Sequence, residues 1–368
     1  MKSYRRFSSS IVIGGIACFM LVQACGSKTD SKSEYYGADD FVKVKKTDVH
    51  AHIYTADMGL YEQAEKDNAS LISVNVEVPG EPPIDSQQYF ALRQQQQSGG
   101  RVRWLATIGT TMINEPGWAE KELTRLKNSF DSGAIGIKVW KSIGMTVRDK
   151  KGNFIMIDDP VFDPIFDYLE QNNIPVLGHI GEPKNCWLPL EQMTTNNDRN
   201  YFREHPEYHM FLHPEYPAYD TIIKHRDNLL EKHPKLKFIG AHLASLEWDV
   251  DEIARRLDKY PNMGVETAER FGQLQYQSVA NYDKVRNFFI KYQDRIMYGT
   301  DLVLFENDNR DTIQQKARAL WLRDWKYFTT GDSLQSPQVN SRFKGLQLPK
   351  EVVDKVYYAN ADKWFGKK

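Results

Sequence analysis

Residues 44–52 read Val44-Lys45-Lys46-Thr47-Asp48-Val49-His50-Ala51-His52, a stretch whose apolar, β-branched run is Val44–His50 and which ends in two histidines one residue apart. In a strand, residues two apart share a face, with Cα atoms roughly 6.5 Å apart. Held that way, His50 and His52 can each give a neutral ring nitrogen to one metal ion. The pair alone is weak evidence, because a lone inward histidine is more often a hydrogen-bonded core residue. It gains force from what the other apolar runs carry at their ends.

Working outward, the further runs are Leu71–Val76, Val102–Ile108, Ala134–Trp140, Ile174–Ile180, Leu236–His242, Met263–Thr267 and Arg295–Thr300. Helix-period stretches lie between them: Glu120–Phe130, Pro164–Gln171, Tyr219–Lys232, Leu246–Lys259 and Asp283–Tyr292. Strands alternating with helices imply βαβ units and a parallel sheet. Eight runs are the number an α/β (β/α)8 TIM barrel requires, and such barrels place their chemistry at the C-terminal ends of the strands. The body carries no Gly-x-Gly-x-x-Gly turn to support a doubly wound nucleotide fold. His179 closes the fifth run, His242 the sixth, and Asp301 follows the eighth. Four imidazoles and a carboxylate buried in one barrel mouth without a cation would leave several polar groups unsatisfied. The five together therefore read as a metal site.

In the fourth run, period two places Ile135, Ile137 and Val139 toward the surrounding helices and Gly136, Lys138 and Trp140 toward the axis. An inward lysine is costly unless paired, deprotonated or modified. Lys138 is expected to pair with Glu266 or Asp301 or to carry a carbamate, and Lys141 to lie at the rim.

Charge narrows the partners. The 368 residues hold 48 Lys+Arg and 49 Asp+Glu, a net charge of -1. With no excess cation there is no reason to expect nucleic acid. The start is different: Met1-Lys2-Ser3-Tyr4-Arg5-Arg6, an apolar stretch from Ile11 to Val22, then Gln23-Ala24-Cys25. A charged start, a short apolar run and a small residue before the cut describe a secretory signal. The ending resembles the lipobox of bacterial lipoproteins, which implies lipidation of Cys25 and anchoring in the cell envelope, periplasmic or outer-membrane. The expected organisation is a signal peptide at 1–24, a flexible tether at 25–40 and a barrel at 41–368. Only three cysteines occur, which excludes a disulfide scaffold. Cys186, beside Trp187, reads as packed rather than nucleophilic.

Asp48-Val49-His50-Ala51-His52, His179, His233-Pro234-Lys235-Leu236 ahead of Ala241-His242-Leu243, Gly299-Thr300-Asp301 and the closing Tyr358-Ala359-Asn360-Ala361-Asp362, taken in this order, resemble the amidohydrolase superfamily, and within it the amidohydrolase-related (amidohydrolase 2) family. The resemblance implies a metal-bearing TIM barrel in which His50, His52, His179 and Asp301 ligate or surround a first divalent ion, zinc being expected. His242 would bind a second ion or stay free as an acid/base. A divalent ion lowers the pKa of its water from about 15.7 toward 7. Asp301 would then take the water's proton, and His242 or Lys138 would stabilise the oxyanion on an amide, lactone or ester carbonyl. The family's mononuclear decarboxylases use much the same residues and are the alternative reading. A barrel kept as a non-catalytic surface binding lipoprotein is a third. Leu302-Val303-Leu304-Phe305 lacks the aromatic-proline pair expected of the decarboxylase-like members.

Two long connections, Gly181–Ala218 and Leu302–Leu348, read as lids or binding walls. Trp140, Glu182, Trp187, Glu266 and Arg270, with Lys184 and Glu269, are candidate contacts for a small carbonyl substrate. His205, His209 and His213 are four apart, but Pro206 and Pro214 interrupt any continuous helix, so they read as lid rather than metal site. The sequence leaves a homo-oligomer open.

Overall fold

A computed structural model of the chain describes residues 34–366. Nine parallel strands follow one another: β1 (Lys46–Tyr54), β2 (Ala69–Val74), β3 (Val102–Thr107), β4 (Ile137–Val139), β5 (Val176–Gly178), β6 (Phe238–Gly240), β7 (Met263–Glu266), β8 (Ile296–Met297) and β9 (Leu302–Phe305). Each pairs with the next as far as β8, and β9 returns to pair with β1. The seam is closed by Val49 N–H on the Tyr298 carbonyl at 3.0 Å and Asp301 N–H on the His50 carbonyl at 2.8 Å. β8 and β9 are thus two halves of one eighth stave, parted by Tyr298-Gly299-Thr300-Asp301. The fold is a closed (β/α)8 TIM barrel of the α/β class.

β1 extends four residues beyond the expected run, and all nine of its residues are buried. Its pairing with β2 shifts register between Asp48 and Ala51. Such a bulge breaks strict alternation. Val49 joins the inner cluster with Ile72, Leu105, Leu177, Ile239 and Met297, whereas Ala51 and Ile53 join the outer core. Asp48 therefore leaves the face it would share with His50. It accepts from Thr300 Oγ1 at 2.5 Å and from Trp321 Nε1 at 3.1 Å. The parity of β4 is as expected for Ile137 and Val139, which belong to the outer core. Ile135 is the exception: it packs against the inner cluster, because β4 begins only at Ile137 and alternation does not govern the residues before it.

The segment 302–348 is not a long loop. It holds β9, the helix Arg310–Thr329 and a two-stranded hairpin of Ser333–Leu334 with Phe343–Lys344. The helix packs on Gly59–Lys66, completing the outer ring beside β1. The expectation of a wall failed because only one face of this helix is apolar, with Ile313, Ala317, Trp321 and Trp325 buried, and its polar remainder read as loop. The excursion 181–218 is irregular as expected, made of short 3-10 turns around the helix Asn196–Glu204.

At the C-terminus, Asn360 Nδ2 donates to the carbonyls of Gln293 at 2.6 Å and Ile296 at 2.7 Å, which fixes the closing helix under β8. Residues 34–40 are packed on the body: Tyr36 Oη donates to Asp354 at 2.9 Å, and the Gly37 carbonyl accepts from Trp325 Nε1 at 3.1 Å. The expected signal peptide, Cys25 and the part of the expected tether up to residue 33 lie outside the described residues. No helix among the described residues is long and apolar enough to cross a membrane.

Candidate metal centre

Six staves supply the centre. His50 and His52 stand on β1, Lys138 on β4, and Glu266 ends β7. His179 directly follows β5, His242 lies two residues past β6, and Asp301 lies in the break between β8 and β9. His50 Nδ1 lies 3.0 Å from Glu266 Oε1. That carboxylate also accepts from His242 N–H at 2.7 Å and, through Oε2, from Ala268 N–H at 2.6 Å. Three donors converging on one carboxylate require an acceptor there, so His50 carries its proton on Nδ1 and turns a lone pair on Nε2 toward the axis. Gly299 must be glycine for this arrangement: a Cβ there would stand 2.5 Å from Glu266 Oε2 and 3.1 Å from His50 Cβ.

On the axial side, the Nε2 atoms of His50 and His52 lie 3.2 and 3.1 Å from the same Oδ1 of Asp301, and His242 Nε2 lies 4.0 Å from Oδ2. Lys138, fully buried, brings Nζ to 3.0 Å from His50 Nε2. It pairs with neither Glu266 nor Asp301 as expected from the sequence, although both carboxylates act on its charge. Burial lowers the Lys138 ammonium to about 8. Burial also lowers His52, and it lowers His179 and His242 well below the usual imidazole range, so these rings stay neutral and able to ligate. For Asp301, desolvation favours the acid, but His50, His52 and His242 outweigh it and hold the carboxyl well below the usual carboxylate range.

The backbone is bent to make this possible. His242, Leu243, Ala244 and Ser245 all have φ between 54° and 61°, a turn of left-handed helix, and Asp301 has φ 64°. Such conformations cost roughly 1–2 kcal/mol per non-glycine residue. The turn is held by Glu266 on His242 N–H, by Arg226 Nη1 on the Ala244 carbonyl at 2.5 Å, and by Ser245 Oγ on the Gly181 carbonyl at 2.8 Å. Strain sustained in this way is characteristic of functional sites.

Two sets of side chains bring possible ligand atoms within 4.8 Å of one another: His50, His52 and Asp301, and His50, His242 and Glu266. His242 Nδ1 donates to the Ala268 carbonyl at 3.0 Å, leaving Nε2 without a partner. His179 belongs to neither set. Its ring lies 4.2 Å from that of His242, and both its nitrogens are buried without a hydrogen bond. Buried imidazole nitrogens with lone pairs and no donor, beside an ionised carboxylate, are what a divalent cation would satisfy. The residues present fit one.

The remaining candidates divide. Trp140 meets His179 edge-on at 5.0 Å and His52 at 6.4 Å. Lys141 binds Glu182 and lies over Trp140, as a rim residue would. Trp187 turns elsewhere, donating to the Pro217 carbonyl at 3.2 Å and packing on Tyr219. Glu266 has both oxygens engaged within the cage. Cys186 is buried, with Sγ on the Tyr208 carbonyl at 3.0 Å, and burial raises its pKa above the usual thiol range. His209 Nε2 bonds the Leu188 carbonyl at 2.8 Å and His213 Nε2 the Pro206 carbonyl at 3.0 Å, so these rings serve the loop locally.

Sequence reasoning missed Tyr54, whose hydroxyl lies 2.8 Å from His52 Nδ1. Period two from His50 through His52 would have found it. It also missed Glu247, fully buried and raised by burial to about 7, which no sequence signal marks. A cavity of about 690 Å³ between the segments after β2 and β3 is lined by Val76, Ile84, Met112, Trp118 and others, and by none of the histidines.

A parallel barrel with this donor set at its C-terminal mouth defines a metal-centred TIM-barrel enzyme. Residues 47–367 match the family model described as Amidohydrolase (Amidohydro_2), and the chain belongs to that amidohydrolase family. Among similar solved structures is an uncharacterized TIM-barrel protein from Bordetella bronchiseptica, with 13% identity, TM-score 0.49, and coverage of 86% of this chain and 98% of that one. Another is 2,6-dihydroxybenzoate decarboxylase from Rhizobium, with 17% identity, TM-score 0.48, and coverage of 88% and 98%. A third is dihydroorotase from Campylobacter jejuni, with 14% identity, TM-score 0.44, and coverage of 88% and 84%. A comparison with curated proteins gives no match.

Proposed function

We propose that the chain is a zinc-dependent hydrolase of a small amide, lactone or ester. The observation that carries this reading is the convergence of His50 Nε2 and His52 Nε2 on Asp301 Oδ1, with unpartnered nitrogens of His242 and His179 alongside. His50, His52, His179 and Asp301 would hold the ion, with His242 beside it. When bound, such an ion supplies Lewis acidity and makes a water acidic enough to ionise near neutral pH.

The chain's own groups do the rest. Asp301, held ionised among imidazoles, accepts the water's proton and returns it to the leaving group. Lys138, adjoining His50, supplies positive charge toward the oxygen that becomes anionic. Glu266 fixes the His50 tautomer and ties it to the turn that carries His242. Trp140 walls the mouth and excludes water from the ring nitrogens. Cys25 is the proposed lipid anchor in the cell envelope, supported by the pattern of residues 1–25; labelled palmitate should enter the chain and be lost in Cys25→Ala.

The test is to assay the zinc-loaded chain on a panel of lactones, esters and amides while measuring carbon dioxide release from aromatic acids. Lactone or ester cleavage that disappears with zinc supports the hydrolase. Carbon dioxide release without carbonyl cleavage would replace it with the decarboxylase reading.

A further inference from the structure

The mouth beyond β5–β7 holds a second polar arrangement. Arg270, just before the helix Phe271–Ala280, is 8% exposed. Its Nη1 donates to the Glu269 carbonyl at 3.0 Å, while its buried Nε has no partner. Glu247, 0% exposed, accepts Lys184 N–H at 2.8 Å on Oε1 and has no partner on Oε2. Each is the strongest charge acting on the other, yet they form no ion pair. Glu247 lies two residues beyond the left-handed turn that carries His242, and Arg270 two residues beyond Ala268, whose carbonyl takes His242 Nδ1 at 3.0 Å, so both stand beside the cage. A buried guanidinium and a buried carboxylate, each with an unsatisfied atom, are strongly unfavourable unless a third group joins them.

We propose that Arg270 and Glu247 form a subsite for an uncharged substrate group bearing a hydrogen-bond acceptor next to a donor, either a primary carboxamide or two neighbouring hydroxyls. The acceptor takes Arg270 and the donor serves Glu247. This rests on the proposed function only in that the neighbouring cage holds the reacting carbonyl. A free carboxylate is the wrong ligand. It offers no donor to Glu247, and Arg270 already feels the charges of Glu247, Asp198, Glu182 and Glu269. An ammonium fails from the other side, since it leaves Arg270 without an acceptor and meets a like charge.

The test titrates the purified chain, zinc-loaded and chelator-treated, with benzamide, 1-phenyl-1,2-ethanediol, benzoate and benzylamine, at about pH 8.5 so that carboxylates and ammonium are charged. At least one neutral probe should bind about tenfold tighter than benzoate and benzylamine in both forms. Benzamide alone identifies a carboxamide substrate, and the diol alone a hydroxylated one. Glu247→Gln should tighten benzoate by about fivefold or more while moving the preferred neutral probe by less than about twofold. Arg270→Lys, which keeps the charge and loses the fork, should weaken that probe by about tenfold; unchanged thermal unfolding confirms that it folds. Three results overturn the subsite: charged probes that equal the neutral ones, no saturable neutral binding by about 10 mM, or preferences that neither substitution moves. Failure of the zinc and turnover assays with the neutral preference intact would remove the proposed function and leave the subsite. Turnover without the preference would do the reverse.

Discussion

Around the His50 ring, both nitrogens lie within bonding distance of protein groups, Glu266 reaching in from β7 takes three donors, and Asp48 holds Thr300 and Trp321. On the β5–β7 side, His179 is bonded on neither nitrogen, and His242 Nε2, Arg270 Nε and Glu247 Oε2 lack partners. Both sides are equally buried, so the contrast is not one of solvent access. The first side has its outer hydrogen bonds filled within the protein and sets geometry, while His50 Nε2 and His52 Nε2 face Asp301 Oδ1 at the proposed ion site. The second is complete only with what binds there. In the proposed enzyme, the bonded half would position the groups that move protons, and the unsatisfied half would reserve binding free energy for ion and substrate.

Asp301 joins the two halves, so its substitution should have the largest effect. Asp301→Asn should lower kcat by about a thousandfold or more on a verified substrate, while metal analysis still finds part of the zinc. A near-normal kcat would mean that neither half depends on this carboxylate. Breaking the completed half should cost stability as well: Glu266→Gln leaves donors facing a group that cannot accept them all, and we expect a loss of about 3 kcal/mol in denaturant unfolding. An unfolding midpoint equal to that of the unaltered chain would show that the network is not structural.

The open half should respond to ligand instead. Stripping metal with a chelator should lower unfolding stability by about 2–3 kcal/mol relative to zinc at a hundredfold excess over Kd, with recovery on adding zinc back. A chelator-insensitive midpoint would contradict the proposed metal centre. The smallest effect concerns Glu247. Its folded pKa is raised from 4.5 to about 7, so the folded state binds the proton more tightly than the unfolded state does. That contribution is fully present below pH 4.5 and is lost as pH rises from 4.5 through about 7. Glu247→Gln should therefore gain on the unaltered chain by about 1–2 kcal/mol between pH 5 and pH 8. Parallel stability curves for the two proteins would mean that the burial of Glu247 is already compensated.

Much of this was readable in the chain. Alternating apolar runs gave the barrel, because a strand buried on both faces must be continuously hydrophobic. His50, His52, His179, His242 and Asp301 stood out because each interrupts or ends such a run with a group that apolar burial cannot explain. The eighth run, Arg295–Thr300, holds β8, but β9 and the helix after it were read as a loop. β9 is four residues long, too short for periodicity to register, and the buried stripe of the helix is thin.

The sequence by itself determined which residue types would gather at one end of a parallel barrel, since alternation and burial are local properties of the chain. Tertiary structure alone decided which atoms face each other. The β1 bulge turned the Asp48 side chain away from the face of His50, the left-handed turn at 242–245 aimed His242, and the reach of Lys138 from β4 to His50 gave it a histidine rather than a carboxylate. These outcomes depend on contacts between residues up to 273 positions apart, as between Asp48 and Trp321, and no local pattern encodes them.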